Sequence, residues 1–553
     1  MKPLRRVVVV GGGVAGLATA ALLAADGHDV ELVEKNDDLG GRAGSWERDG
    51  FRFDTGPSWW LMPEVFDHFF RLLGTSTAEQ LDLVRLDPGY RVFFEGVPGA
   101  MDVADDAERN QALFESVEPG AGAGLEAYLE SARTAYDLAV DRFLYTSFDH
   151  PRAFLDRRVL ARGPRLASLL GRDLESFVAA RFADRRLRQV LGYPAVFLGS
   201  SPDRTPAIYH LMSWLDLADG VRYPAGGFTR LVDVLARLAR ERGARLRTGV
   251  TATAVLTHAS SPRGADRRRA RVTGVRVVDA DGTESDLPAD VVVGAADLHH
   301  VETRLLPEQL RTFPQRWWDK AVSGPGAVLV CLGVRGELPE LAHHSLFFTE
   351  DWRSNFDAVF EAPTRVPDPA SLYVCRPSAT DDTVAPEGHE NLFVLVPVPP
   401  DPGIGHGGED GAGDAQVEAV ADRAIDLVAS WAGVPDLAER VVVRRTIGPA
   451  DFVDGVNAWS GGALGPAHVM RQSAFFRAGN SSRKVRGLYY AGASTVPGIG
   501  LPMCLISAEL IRKRLAGDTS VGPSAEPPRP APRSQAGASE SSAASAEPVV
   551  DAS

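Results

Sequence analysis

The feature that most constrains this chain is its opening turn. Gly11, Gly13 and Gly16 follow the run Val7-Val8-Val9-Val10 and lead into an Ala/Leu-rich stretch. G-x-G-x-x-G spacing alone recurs by chance in a chain with 55 glycines. Between a strand and a helix it has a specific physical use. The first glycine permits a tight turn, the second lets backbone approach a pyrophosphate, and the third lets helix and strand pack closely. The helix N-terminus then offers free N–H groups and a positive dipole end to the anion. The pattern predicts a strand over 6–10, a helix over 17–25 and a strand over 29–34, with Glu34 placed to accept hydrogen bonds from a ribose diol. Residues 7–25 carry no charge and imitate a signal peptide or a short spanning helix, but the glycines at 11 to 13 would break such a helix.

At 553 residues the chain exceeds one simple core and suits two interleaved domains. A net charge of −14 argues against a general nucleic-acid binder. Cys331, Cys375 and Cys504 are far apart in apolar runs. They offer neither a zinc site nor a disulfide framework, and fit a reducing cytoplasm. His299-His300 and His343-His344, read as strand neighbours, point to opposite faces, so no metal site is expected.

Residues 60–220 are mostly helical in pattern, with Leu125, Tyr128, Leu129, Ala132 and Tyr136 on one face. A second β region begins near Arg245. Val272–Val277 and Asp290–Ala295 flank Asp281-Gly282 and read as a hairpin. Ala327–Val334, Leu372–Cys375 and Leu392–Val398 read as strands of another sheet, followed by a loop over Asp401–Gly413. From Gly517 onward the chain is Pro, Ala, Ser and Glu, and is expected to be disordered.

Pro151 to Val190 is an outlier, with ten arginines against four acidic residues, a net +6. Leu166, Leu169, Leu170, Phe177, Val178 and Phe182 interleave with the charge. Basic amphipathic helices of this kind lie on anionic bilayers. A solvated helical face is the other reading. Arg267-Arg268-Arg269 reads as an exposed hairpin tip without a function.

Asp38-Leu39-Gly40-Gly41-Arg42-Ala43 resembles the Gly-Gly-Arg extension of the amine-oxidase and carotenoid-desaturase flavoproteins, which lies along the pyrophosphate and flavin ring. Arginine suits that place, because its planar fork matches phosphate and stays charged. Gly50 to Ser58 resembles the F-D-x-G-P-T/S signature of bacterial-type phytoene desaturases, and Tyr223 to Gly227 their Y-P-x-G-G turn. Arg471 to Ala474, with Arg477 and Asn480, is similar to their Q-S-A-x-x-R-x-x-N block. Leu488 to Pro502 is similar to their C-terminal flavin motif. Two departures stand out. Ala493 follows Gly492 where many flavoproteins have Asp, and Val496 stands where many desaturases have His, so no histidine at 496 can act as a base.

The resemblance implies an α/β fold: a Rossmann-type FAD-binding domain interleaved with an α+β substrate domain and a helical membrane-facing region. FAD-binding segments are expected at 1–60, 221–320 and 451–516, a mainly helical substrate and membrane-facing region at 61–220, a substrate-domain sheet at 321–450, and a disordered tail at 517–553. Expected FAD contacts are Gly11, Gly13, Ala15, Gly16, Glu34, Gly41, Arg42, Gly56, Pro57, Ser58, Val250, Gly492, Gly500, Leu501 and Pro502. Val250 reads equally well as a core valine.

The implied reaction converts saturated C–C bonds of a long polyisoprenoid into conjugated C=C bonds, by hydride loss to the flavin and proton loss from the neighbouring carbon. Phytoene, giving lycopene or an intermediate, is the expected substrate, with oxygen or a quinone as electron acceptor. The cell membrane is the expected partner surface, approached peripherally from the cytoplasm, because so apolar a molecule, at about 0.8 kcal/mol per buried CH₂, cannot exchange through water. Asp141, Arg142 and Asp149 are candidates for proton handling, although each reads better as a solvated or paired surface residue. The rival readings are a diapophytoene desaturase, a ketolase, an isomerase, or a flavin-binding scaffold without turnover. An amine oxidase fits less well, since its covalent-flavin cysteine and aromatic cage are not evident.

Overall fold

The computed structural model describes residues 4–148, 161–260 and 269–528. Asp149 and the arginines Arg152, Arg157 and Arg158 lie outside them, as do Arg267 and Arg268.

The chain opens as strand β1 (Arg6–Val10), helix α1 (Val14–Ala25) and strand β2 (Asp29–Val33). Val7 to Val10 are all buried, the unbroken apolar run of a strand covered on both faces. The segment that imitated a spanning helix is thus strand, turn and helix. Five parallel strands form the first sheet, in the order Leu488–Tyr490, Val291–Gly294, β1, β2 and Arg245–Arg247. Three segments distant in sequence therefore complete one nucleotide-type sheet, with α1 packed against the C-terminal helix Leu501–Ala516.

A seven-stranded sheet forms the second layer, in the order Val441–Ile447, Gly326–Arg335, His389–Val398, Leu372–Cys375, His344–Phe348, Tyr90–Phe94, Ala100–Val103. The three apolar runs expected as strands are all in it. Its last two strands fall inside the stretch read as helical, which is thus not helical throughout. The helix Ala121–Ala139 does bury Leu125, Tyr128, Leu129, Ala132 and Tyr136 on one face.

The expected hairpin differs. Asp281-Gly282 turns Ala270–Val278 back onto Glu284–Pro288, and Val291–Gly294 leaves to pair with β1. Burial gives the reason. The strand 284–288 keeps an exposed face, whereas Val291 to Gly294 are all buried and belong in a covered parallel sheet.

The stretch from 517 was expected to lack structure, but through Glu526 it is tied down. The buried Lys513 ammonium donates to the carbonyls of Tyr145 (3.0 Å), Ser520 (2.8 Å) and Gly522 (2.8 Å). Ser524 N–H donates to Glu509 Oε1 at 2.6 Å, and Glu526 Oε1 pairs with His68 Nδ1 at 3.0 Å. Composition missed this because the anchors are polar. Residues 529–553 lie outside the described residues. Among the described residues no helix is long and apolar enough to cross a membrane.

Candidate functional site

One cavity of about 880 Å³ runs between the two sheets. At one end its wall is the turn from β1 into α1. Gly11 has φ +108°, and a Cβ there would lie 2.7 Å from Ala296 N, so only glycine allows the approach of this turn to Ala295-Ala296. A Cβ on Gly16 would run into the carbonyl oxygen of Gly11. Gly13 differs: an added Cβ would meet nothing nearer than Gly40 O at 3.7 Å. Its missing side chain leaves room in the cavity, not in the protein.

Helix α1 has no side-chain N-cap and no acidic residue in its first turn. Its uncapped N-terminus, Gly13 to Ala15, lines the cavity, which is how a helix receives a phosphate. Glu34 sits just past β2 and is 7% exposed. Its Oε2 accepts from Gly12 N–H at 2.6 Å and its Oε1 from Asn36 N–H at 3.0 Å, so the carboxylate is fixed at the cavity wall. Val250 N–H donates to Glu34 O at 2.8 Å, placing Val250 beside it.

Further along lie Gly41 and Arg42. Arg42 Nη2 pairs with Asp297 Oδ2 at 3.4 Å, while its buried Nε has no partner among the described residues. A Cβ on Gly56 would strike the carbonyl oxygen of Arg42, so Gly56-Pro57-Ser58 can lie flat against this turn. The two family-like stretches around it lock together. Asp54 accepts from Phe228 N–H at 2.7 Å and Thr229 N–H at 3.2 Å, while Asp381 accepts from Gly226 N–H at 2.6 Å. Burial pushes the Asp54 carboxyl up to about 6.

A second uncapped helix N-terminus, Gly500 to Pro502, faces the same cavity. Gly492 lies across from α1, where a Cβ would approach Ala15 Cβ to 3.6 Å. Of the expected contact residues, all line the cavity except Gly16, which acts through packing. An extended dinucleotide fits this wall: anion-ready N-termini, a fixed carboxylate, and glycine where a side chain would intrude.

The block around Arg477 is a clamp on this wall and not part of it. Among the described residues Arg477 has no carboxylate partner. It donates to the carbonyls of Thr495 (3.2 Å), Gln472 (3.1 Å), Pro466 (3.1 Å) and Ala493 (2.6 Å), and burial pulls its guanidinium down to about 10. Asn480 Nδ2 donates to Val496 O at 2.8 Å. Together they hold the loop 493–497, where no carboxylate is present to do so.

The other end of the cavity is apolar, walled by Leu138, Phe143, Leu144, Phe197, Leu329 and Phe393 among others. Leu166 and Leu170 join it from the helix Gly163–Leu170, and Phe148 and Phe475 from loops. Asp141 and Arg142 do not line it, although Phe143 and Leu144 beside them do. The arginine-rich stretch is divided in its use. Arg162 and Arg165 are exposed, whereas Arg186 pairs with Asp184 at 2.9 Å and Arg181 sits 3.8 Å over the Phe177 ring.

The histidine pairs depart from strand geometry. His299 and His300 are on the helix Leu298–Arg304, with His300 at the cavity wall. The His343 and His344 rings approach to 4.6 Å, with Cys375 beside them. One nitrogen of each ring and Cys375 Sγ lie within 4.8 Å of one another, a grouping the expectation of opposite faces had excluded. His343 Nδ1 is hydrogen-bonded to Thr380 Oγ1 at 2.8 Å and His344 Nδ1 to Tyr373 OH at 2.8 Å, while the rings also pack on Tyr223 and Trp59.

Sequence reasoning missed Asp297, Tyr373 and His468 at the cavity wall. Each comes from a segment that carries no motif of its own. His468 is buried beside Gly498, where a Cβ would strike its imidazole, and it is kept neutral by burial and the nearby Arg477 charge.

Residues 14–510 match the family of flavin containing amine oxidoreductases. The carotenoid 3,4-desaturase of Haloarcula japonica is 42% identical over 512 residues, covering 93% of this chain and 98% of that one. The zeta-carotene-forming phytoene desaturase of Myxococcus xanthus is 37% identical, covering 92% and 94%. Among solved structures, an oxidoreductase from Methanosarcina mazei superposes with a TM-score of 0.59 at 16% identity, covering 92% of this chain and 100% of that one. A cyclohexylamine oxidase from Brevibacterium oxydans gives 0.55 at 14%, covering 93% and 99%. At these identities the structures share the fold alone.

Proposed function

Because this chain belongs to the carotenoid desaturases of the flavin containing amine oxidoreductase family, we propose that it desaturates a long acyclic carotenoid, phytoene above all. FAD is the cofactor, and when bound it supplies the two-electron oxidation that the side chains here cannot perform. The observation that carries the substrate reading is the continuity of one cavity from the glycine-rich wall into an apolar lobe.

The chain's own residues then have three tasks. Gly11, Gly13, Ala15 and Glu34, with Val250 beside them, take the nucleotide end, the α1 N-terminus facing the phosphates. Gly41, Arg42 and Gly56 to Ser58 lie along the middle, where the unpartnered Arg42 Nε has a donor to offer. Gly492 and Gly500 to Pro502 border the ring end, with a helix dipole suited to negative charge there. The apolar lobe excludes water and aligns a hydrocarbon.

Phe475 and Phe476 are 43% and 55% exposed, and Phe475 also lines the cavity. Together with Arg162 and Arg165, exposed in the chain's basic stretch, they support peripheral docking on an anionic membrane from the cytoplasm, so that substrate passes from bilayer to cavity. Oxygen or a quinone would reoxidise the enzyme.

A second reading has support of its own, since the 42% identical relative is a carotenoid 3,4-desaturase. Product analysis after coexpression with a phytoene-producing pathway separates the two. Products more unsaturated than phytoene support the first; phytoene left untouched, with a new 3,4 double bond on a supplied, already conjugated carotenoid, supports the second. No new product from either would sink both.

A further inference from the structure

The geometry points to Tyr373 as the residue that takes the substrate's proton, passing its own hydroxyl proton to His344. This rests on the desaturase reading above and adds the proton acceptor that reading lacks.

Ser58 and Tyr373 both line the cavity, with Ser58 Oγ and Tyr373 OH 2.7 Å apart. Tyr373 OH lies 2.8 Å from His344 Nδ1. The strands Leu372–Cys375 and His344–Phe348 are antiparallel neighbours, so backbone pairing fixes this spacing. A consistent order of donors follows. Ser58 O–H donates to Tyr373 O, and Tyr373 O–H donates to His344 Nδ1. Cys375 and the Trp59 indole also come close to the phenol, but Trp59 Nε1 makes no hydrogen bond among the described residues, which leaves one lone pair of the phenol oxygen for the cavity.

Behind the phenol, His344 is fully buried, and its Nε2 has no partner among the described residues. The Trp59 indole lies flat over its ring, with centroids 4.3 Å apart and planes 10° apart. An aromatic face at that distance attracts a cation once the imidazole takes a proton. Burial holds the phenol far above its usual range and the imidazole far below, so both are neutral at rest. A neutral phenol alone is a poor base; coupled to an imidazole it needs no free phenolate.

The rivals at the cavity wall are weaker. His468 is beside the permanent charge of Arg477, which opposes a second cation. Tyr136 O–H donates to the carboxylate of Glu64 and, among the described residues, is hydrogen-bonded to no imidazole.

The step balances. The C–H bond that loses its proton leaves its electron pair to form the new C=C bond. The proton forms an O–H bond on Tyr373, while the original hydroxyl proton forms an N–H bond on His344 Nδ1. The neighbouring carbon gives its hydrogen and electron pair to the FAD of the family reaction. The imidazolium returns its proton through Tyr373 when product leaves and water reaches the cavity.

The test compares wild type with Tyr373→Phe, which keeps the ring and removes only the hydroxyl. Anaerobic flavin reduction by carotenoid in the variant should slow about 100-fold, with FAD content unchanged and KM within about threefold. Deuterium at the carbon that loses the proton should give a larger isotope effect in the variant, a change that mere misplacement would not confine to that carbon. A readout independent of turnover is ¹⁵N NMR of the histidine-labelled protein, with His344 assigned by loss of its signal in His344→Gln. Nδ1 should be the unprotonated acceptor.

Reduction in Tyr373→Phe as fast as in wild type overturns the relay, and so does a proton resident on Nδ1. Wild type that no carotenoid reduces overturns the desaturase reading and the relay with it.

Discussion

Gly13 and Gly16 are both glycines of one turn, yet the structure assigns them different penalties. Alanine at 16 places Cβ against the Gly11 carbonyl oxygen at the α1–β1 crossing. Overpacking costs about 1–3 kcal/mol, and backbone yields less readily than a side chain, so the upper part of that range is expected. Alanine at 13 meets only Gly40 O at 3.7 Å, and Gly13 has φ −71°, which any residue adopts. Gly13 is the N-cap of α1, where alanine is worse than glycine by about 0.5–1 kcal/mol. Reduced freedom of the unfolded chain returns about 0.4–1 kcal/mol. The net effect on the apoprotein is near zero. The new methyl instead occupies cavity space and holds a phosphate off the helix N-terminus. Losing two charge-assisted hydrogen bonds, at about 1.5–3 kcal/mol each, weakens binding by at least about 3 kcal/mol, a factor above 100. Thermal unfolding of apoprotein and FAD titration separate the two effects. Gly13→Ala should unfold like wild type and bind FAD at least 100-fold more weakly, while Gly16→Ala should lose stability before any cofactor is added. Wild-type FAD affinity in Gly13→Ala would refute the placement of the pyrophosphate.

Glu34→Ala should weaken FAD binding and also cost the apoprotein about 1–3 kcal/mol in urea unfolding, since the N–H groups of Gly12 and Asn36 lose their acceptor. Truncation after Gly517 should destabilise by about 2 kcal/mol, because Lys513 loses two of its three carbonyl partners; unchanged denaturation would refute the docking of 518–526. Asp216, buried with the hydroxyls of Tyr90 and Tyr193, has its carboxyl pushed up to about 7 by burial. A raised carboxyl favours the protonated folded state, so its contribution is lost as pH climbs toward that value. Asp216→Asn should therefore gain about 2–3 kcal/mol relative to wild type between about pH 5 and about pH 8. Replacing Arg162 and Arg165 by Gln, or Phe475 and Phe476 by Ser, should reduce sedimentation with anionic liposomes at normal FAD content, and salt should weaken the arginine contribution; undiminished sedimentation would place the docking face elsewhere.

The nucleotide end was legible because its determinants are local. Spacing of Gly11, Gly13 and Gly16 encodes a turn that backbone sterics alone require, and the unbroken valines encode a strand covered on both faces. The apolar runs of the seven-stranded sheet were legible for the same reason. Where partners are distant, the reading failed. Val291–Gly294 was joined to its sequence neighbour across Asp281-Gly282, because a turn signal says nothing of a β1 nearly three hundred residues earlier. Tyr90–Phe94 was lost in a helical stretch since its sheet neighbour is His344–Phe348. Tyr373, His344 and Ser58 share no motif, and only strand pairing brings them together. Only the start of the tail, through Glu526, was misread, because apolar content was weighed and the anchors at Lys513 and Glu509 are polar.

On this structure a carotenoid chain should reach the flavin through the apolar lobe. Anaerobic mixing of the holoprotein with phytoene carried in anionic liposomes tests it most directly, followed by product extraction. The oxidised flavin absorbance should be lost, with a more unsaturated carotenoid formed in equal amount. Flavin that stays oxidised with phytoene and with more conjugated carotenoids, yet is bleached by an amine, would contradict it.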